Sequence, residues 1–240
     1  MPENRSAENE HAGRVREMFG TIATRYDLLN HLLSGNTDKK WRRIAASRVR
    51  DRLASDSSDA RQILDVACGT GDLALTLLET TGVPVVATDF CRPMLEIAAG
   101  KVPRRITLIE GDALSLPFLD RSFEGATIAF GLRNLASVEG GLNEIFRILK
   151  PQGWLAVLEF SRPSNPLFRA LFGLYFTKVL PLLGGVISGS KSAYSYLPDS
   201  VQRFPDQREL SLLMERAGFD EVTYENLTGG IAALHMARRP

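Results

Sequence analysis

Asp65 stands four residues ahead of Gly69-Thr70-Gly71, inside the stretch ILDVACGTGDLA from Ile63 to Ala74, and this spacing can hold a ligand. Ile63, Leu64 and Val66 read as a buried strand, the glycines as a turn, and Asp72 as the opening of a helix. Glycine on both sides of Thr70 lets backbone approach a ligand where a Cβ would collide. In an open α/β sheet that position, beyond the carboxyl end of the first strand, is where nucleotide-like ligands bind. Asp89 and Asp112 follow two later apolar runs, so three carboxylates are expected at three strand ends.

The glycine pattern alone leaves the ligand open. Gly69, Gly71 and Ala74 also fit the G-x-G-x-x-G/A dinucleotide fingerprint, which expects an acidic residue about 20 positions on. Asp65 argues against a pyrophosphate, which it would repel, and for a cation. S-adenosyl-L-methionine carries an ammonium, a sulfonium and a ribose diol but no phosphate, and it suits three carboxylates. Asp112, in Gly111-Asp112-Ala113, would meet the adenine edge. The bland alternative is an ordinary αβ turn with Asp72 as an incidental cap.

Positioning these groups requires a folded scaffold, and the composition provides for one. The 240 residues suit a single domain with additions, at 44% hydrophobic and 24% charged. A net charge of +1 offers no field for nucleic acid. Cys68 and Cys91, each beside an expected ligand loop, read as reduced thiols of a cytoplasmic protein. His11, His31 and His235 show no metal-ligand spacing, so no metal is expected. Residues 1–13 are polar without a signal core and read as a flexible tail, leaving 14–240 as one domain.

Residues 14–54 read as a helical N-terminal cap. Val15, Met18, Phe19 and Ile22 recur at helical spacing, a short helix follows from Tyr26 to Leu33, and Ser34-Gly35 stops it. A third helix is expected from Asp38 to Leu53, with Trp41, Ile44, Ala45 and Val49 inward and Arg42, Arg43, Arg48, Arg50 and Arg52 outward. That arginine face reads as solvated, or as a weak surface for a membrane or acidic partner. Residues 55–60 read as a small polar linker.

From Gln62 onward strands alternate with helices: strands at 63–66, 84–88, 106–109, 123–130 and 154–160, helices at 72–79, 93–99 and 138–149. This is the pattern of an α/β fold with a parallel, doubly covered sheet. Residues 163–205 interrupt it. Leu167 to Ile187 is apolar but broken by Arg169, Lys178 and Pro181, too broken for a span of roughly 20 apolar residues. It suits an amphipathic lid over an apolar substrate or a bilayer surface, or a core helix pair. Tyr194, Tyr196 and Phe204 fall in an expected serine- and proline-rich loop. A helix from Asp206 to Ala217 and an antiparallel hairpin, Val222–Asn226 with Ile231–Ala237, complete the chain.

Several segments are narrower than a fold pattern: MFGTIATRYDLLNHLLS at 18–34, GDALSLPF at 111–118, FGLRN at 130–134, RILKPQGWLAVLEFSRP at 147–163, YSYLPDSVQRFP at 194–205 and NLTGGIAALH at 226–235. With the glycine loop, they make the chain resemble the ubiquinone/menaquinone biosynthesis C-methyltransferase family from about Val15 to His235. The resemblance implies a class I methyltransferase fold, Rossmann-like, with a mainly parallel seven-stranded sheet and a C-terminal antiparallel strand. It implies transfer of a methyl group from S-adenosyl-L-methionine to a ring carbon of a polyprenylated quinol. Demethylmenaquinol is favoured over 2-methoxy-6-polyprenyl-1,4-benzoquinol.

Under that resemblance Gly69, Thr70 and Gly71 hold the methionine part, Asp89 the ribose hydroxyls, and Asp112 with Ala113 the adenine. Ala129 stands where some relatives carry serine, leaving only backbone to contribute. A ring carbon becomes nucleophilic when a neighbouring hydroxyl ionises, so an anion stabiliser and a proton acceptor are needed. Arg133, expected to face the cofactor from the end of the fourth strand, is the first choice, with a salt bridge to a helix end as its bland alternative. Asn134 and Tyr26 would orient the ring hydroxyls, His235 reads more readily as structural, and Glu159 reads equally as a loop-anchoring carboxylate or a catalytic one. A prenylated substrate implies peripheral contact with the inner membrane surface, and a homodimer is left open. Three rivals carry less: a nicotinamide oxidoreductase, against which Asp65 and Asp112 count; a nucleic-acid methyltransferase, which lacks a basic face; and a non-catalytic subunit, for which FGLRN and 194–204 are too intact.

Overall fold

Short runs of β-branched and aliphatic residues build the central strands of this protein, two of which close on Asp89 and Glu110. The computed structural model describes residues 10, 13–23, 26–27, 31, 34–53, 61–174 and 191–240. Its helices are α1 (Thr37–Leu53), α2 (Asp72–Thr81), α3 (Arg92–Ala99), α4 (Val138–Ile148), α5 (Pro166–Leu174), α6 (Lys191–Arg203) and α7 (Gln207–Arg216). Its strands are β1 (Ile63–Val66), β2 (Val85–Asp89), β3 (Ile106–Glu110), β4 (Phe123–Ala129), β5 (Leu149–Phe160), β6 (Asp220–Leu227) and β7 (Ala232–Arg238). Residues 13–23 are also helical and bury Val15 and Ile22.

The seven strands form one sheet in the order β3-β2-β1-β4-β5-β7-β6. All neighbours run parallel except β7, which is antiparallel to both β5 and β6. The chain winds outward from β1 through β2 and β3, then returns to pair β4 on the other side of β1. That reversal opens a crevice at the carboxyl ends of β1 and β4. Alternate residues of each central strand feed two cores. Ile63, Val85 and Ala156 pack with Trp41, Ala45 and Leu77 of α1 and α2. Leu64, Val86 and Val157 pack with Leu142, Ile145 and Met214 of α4 and α7.

The described elements follow the expected alternation, with three corrections. Arg42 is buried, not outward: its guanidinium pairs with Asp38 and lies 5.8 Å from the Phe130 ring centroid. Asp38, Arg42, Ala46, Val49 and Leu53 form one buried lane at helical spacing, and the ion pair offsets part of the cost of carrying charge into it. Much of the remaining arginine face is engaged within the molecule, Arg48 on Glu225 and Arg52 over the Trp154 ring. Second, Tyr196 lies in a helix and not a loop. α6 runs through Pro198 because burial of Pro198 and Ser200 and the Tyr196 contact outweigh proline's local penalty. Third, β5 begins at Leu149, opposite Phe123, and the excursion Lys150–Gly153 shifts the register before Trp154 pairs with Gly125. Most of the tail at 1–13, the linker at 55–60, most of the Tyr26–Leu33 helix and the 175–187 part of the apolar segment lie outside the described residues.

Candidate active site at the sheet reversal

At the reversal two strand ends are pressed together. Ala67 after β1 and Phe130 after β4 both take left-handed φ, 51° and 57°. A Cβ on Gly131 would lie 2.6 Å from that of Ala67, so only glycine passes there. Beyond β1, Gly69 and Gly71 also take positive φ, 55° and 82°. A Cβ on Gly71 would strike Val102 at 2.9 Å, whereas one on Gly69 would meet no protein atom within 4 Å. Gly71 therefore serves packing, and Gly69 keeps space open in the cleft it lines.

Register brings the carboxylates to this cleft. Asp65 lies opposite Thr127 on β4, whose hydroxyl donates to Asp65 Oδ1 at 2.7 Å. Among the described residues Asp65 Oδ2 is buried with no hydrogen-bond partner. Burial pushes the Asp65 pKa up to about 7, and the nearby Asp89 charge adds to this against Thr127 and Arg42. Asp89 closes β2 and accepts from Gly69 N through Oδ2 and from Cys91 N through Oδ1, both at 2.8 Å. Its pKa is raised by burial, partly offset by those amide bonds. Asp112 is exposed and accepts from Leu114 N at 2.9 Å, with Ala113 buried beside it; both line the cleft.

The N-terminal segment bolts onto the glycine loop. Thr70 donates its hydroxyl to Asp27 Oδ1 at 2.5 Å, and Lys101 Nζ joins Asp27 at 2.8 Å to Asp72. Tyr26 lines the cleft and meets Phe19 edge-on at 5.8 Å. His31, Asp38 and Asp72 bring ligand-type atoms within 4.8 Å of one another. Arg42 already supplies the cation there, pairing with Asp38 and lying 3.8 Å from Asp72.

Arg133 departs from expectation. It sits on the 3-10 turn Leu132–Asn134, and its guanidinium is drawn away from the cleft onto Glu159, with Nη1 3.0 Å from both carboxylate oxygens. It does not line the cleft, because a cation this buried is held by the buried carboxylate at the end of β5 and by the Phe130 carbonyl. Asn134 does line the cleft. His235 is buried in β7 with Nε2 2.8 Å from Gln207 O, and burial lowers its pKa, as befits a neutral structural imidazole. Sequence reading missed Asp27, Arg42 and Tyr196. For Arg42 a signal existed in the Asp38–Arg42 spacing along the apolar lane; for the others the partners are remote in sequence.

An unsatisfied buried carboxylate oxygen, an acceptor-only aspartate bracing the loop, and space kept at Gly69 suit a cationic nucleoside with a diol. On a seven-stranded sheet of this order, that site defines a class I S-adenosyl-L-methionine-dependent methyltransferase. The fold is shared by a Thermotoga maritima protein described as a possible histamine N-methyltransferase, with a TM-score of 0.63 at 20% identity over 93% of this chain and 99% of that one. A Haemonchus contortus phosphoethanolamine N-methyltransferase in complex with S-adenosyl-L-methionine gives a TM-score of 0.60 at 13% identity, over 81% of this chain and 52% of that one.

The chain belongs to the ubiE/COQ5 methyltransferase family, which it matches over residues 6–239. It is 50% identical to the demethylmenaquinone methyltransferase of Thermus thermophilus over 227 residues, 93% of this chain and 100% of that one. It is 44% identical to the ubiquinone/menaquinone biosynthesis C-methyltransferase of Geotalea uraniireducens, over 96% and 98% of the two chains.

Proposed function

We propose that this enzyme methylates a ring carbon of a polyprenylated quinol, demethylmenaquinol in the first place, with 2-methoxy-6-polyprenyl-1,4-benzoquinol as the alternative. The observation that carries the reading is the full-length similarity to demethylmenaquinone methyltransferases. When bound, S-adenosyl-L-methionine supplies an electrophilic methyl on its sulfonium. Asp65 would accept from the ammonium, Asp89 from the ribose hydroxyls, and Asp112 from the adenine amino group, with the Ala113 N–H at the ring. Gly69 would admit the methionine part, Gly71 would shape the turn by packing on Val102, and Thr70 would contribute backbone because its hydroxyl is engaged by Asp27.

At the acceptor, ionisation of a ring hydroxyl raises the nucleophilicity of the neighbouring carbon. Tyr26 and Asn134 both line the cleft, which supports their reading as the groups that would orient the ring hydroxyls. Arg133 acts from behind: paired with Glu159 and bonded to Phe130 O, it braces the turn that carries Asn134. Among the described residues no helix is long and apolar enough to cross a membrane. The prenyl tail keeps the substrate in the bilayer, so the enzyme meets it by peripheral contact at the cytoplasmic face.

The test is a transfer assay with methyl-labelled S-adenosyl-L-methionine and short-chain forms of both quinols, side by side. Label in the naphthoquinol is the expected result, and label in both makes the enzyme a dual one. Label in neither, with cofactor binding intact, overturns the substrate.

A further inference from the structure

The turn after β4 holds a directional chain of hydrogen bonds that ends on a residue with no role so far. The Glu159 carboxylate accepts from Arg133 Nη1, which also donates to the Phe130 carbonyl. That carbonyl, turned by its left-handed residue, accepts in addition from Asn134 Nδ2 at 3.1 Å. Asn134 Oδ1 then accepts from the Tyr196 hydroxyl at 3.3 Å. A carbonyl can only accept, so it fixes the Asn134 amide with nitrogen toward Phe130 and oxygen toward Tyr196. The tyrosine proton must therefore point at Asn134.

We infer that Tyr196 is a positioning residue for the methyl acceptor, acting by locking the side-chain amide of Asn134 from the far side. An amide whose two ends are nearly isosteric orients a ring hydroxyl only if its donor and acceptor ends are assigned. One wall of that assignment comes from the Phe130 carbonyl within the turn. The other comes from α6, an element inserted between β5 and α7, so acceptor alignment depends on α6 being seated. Burial raises the Tyr196 pKa above its ordinary value, which keeps the hydroxyl a donor through the neutral range.

The inference rests on the proposed role of Asn134, and the experiment separates the two. Tyr196→Phe, Asn134→Ala and the double variant are compared for kcat, quinol KM and S-adenosyl-L-methionine Kd in the full chain. Tyr196→Phe keeps the ring, so packing alone predicts unchanged kcat. The expected result is a kcat loss of about tenfold, the rate equivalent of one net hydrogen bond, with cofactor Kd unchanged. In the double variant the Tyr196 change should cost nothing further, because the residue acts through Asn134. An unchanged kcat in Tyr196→Phe beside a large loss in Asn134→Ala overturns the inference alone. Wild-type kcat in Asn134→Ala overturns the Asn134 role and the inference together. Additive losses, or a weakened cofactor Kd, also overturn it.

Discussion

The two walls of the cleft are made in different ways. The wall from β1, β2 and the loop after β3 presents backbone and short acidic side chains. Gly69 leaves space, and Asp65, Asp89 and Asp112 lie within or just beyond strand ends, held by local amides or one strand neighbour. The wall from the β4 turn is made of long side chains reaching across the fold. Arg133 meets Glu159 from β5, and Asn134 meets Tyr196 from α6. The first wall buries the carboxyl groups of Asp65 and Asp89 and leaves one Asp65 oxygen without a hydrogen-bond partner among the described residues. The second pairs its buried charges with each other, Arg133 with Glu159. In the proposed function, cofactor recognition would draw on local geometry and acceptor positioning on tertiary structure.

The largest contrast should appear on removing one member of the buried ion pair. Arg133→Ala leaves Glu159 charged and enclosed, and the expected loss is about 3–5 kcal/mol of stability by urea unfolding. Arg133→Ala with Glu159→Gln should recover most of it. Cofactor affinity in the folded fraction should stay near wild type, since neither residue lines the cleft. A stable single variant would mean that the second wall does not depend on the pair.

Asp65 tests the opposite property of the first wall. Its carboxyl titrates near about 7 in the fold against an ordinary 3.8. The native state therefore holds a proton that the unfolded chain has released between these values. Stability from this group is complete below about pH 4 and is lost as pH rises through 7. A tenfold change in proton affinity corresponds to about 1.4 kcal/mol, so the slope of unfolding free energy between pH 5 and 7 should be measurable. Asp65→Asn should flatten it. S-adenosylhomocysteine, which keeps the ammonium, should flatten it too and bind more tightly as pH rises over the same window. An unchanged slope in Asp65→Asn would mean that the buried oxygen carries no such proton.

The same contrast decides what could be read from the chain. The strands, the crossover pattern and the acidic strand ends rest on short-range regularities: continuous apolar runs, glycine spacing, carboxylates beside them. Those were legible, and each lies where its spacing implied. Arg42 reads as outward from its charge alone, whereas the lane from Asp38 to Leu53 carries it inward. Arg133 was assigned outward to a ligand, since nothing near it in sequence announces Glu159, 26 residues on. Tyr196 looked like a loop residue because serine and proline surround it; a contact 62 residues away in sequence helps keep it helical. Local signals locate the wall proposed for the cofactor, and only three-dimensional pairing locates the other.

Asp89 gives the smallest effect and the sharpest separation of affinity from stability. Its two oxygens already accept from Gly69 and Cys91 amides, yet each retains lone pairs for a diol. Asp89→Ala removes those acceptors and should weaken S-adenosyl-L-methionine binding by about 2 kcal/mol or more in a calorimetric titration. The fold should lose less than in Arg133→Ala, because deleting a carboxylate whose pKa is raised by burial also relieves a desolvation cost. Two orphaned amides work against that relief, and Asp89→Asn, which keeps one acceptor, should fall between wild type and alanine in affinity. If alanine binds the cofactor as tightly as aspartate does, the ribose assignment fails. The division of labour between the walls would then have to be redrawn around Asp65 and Asp112 alone.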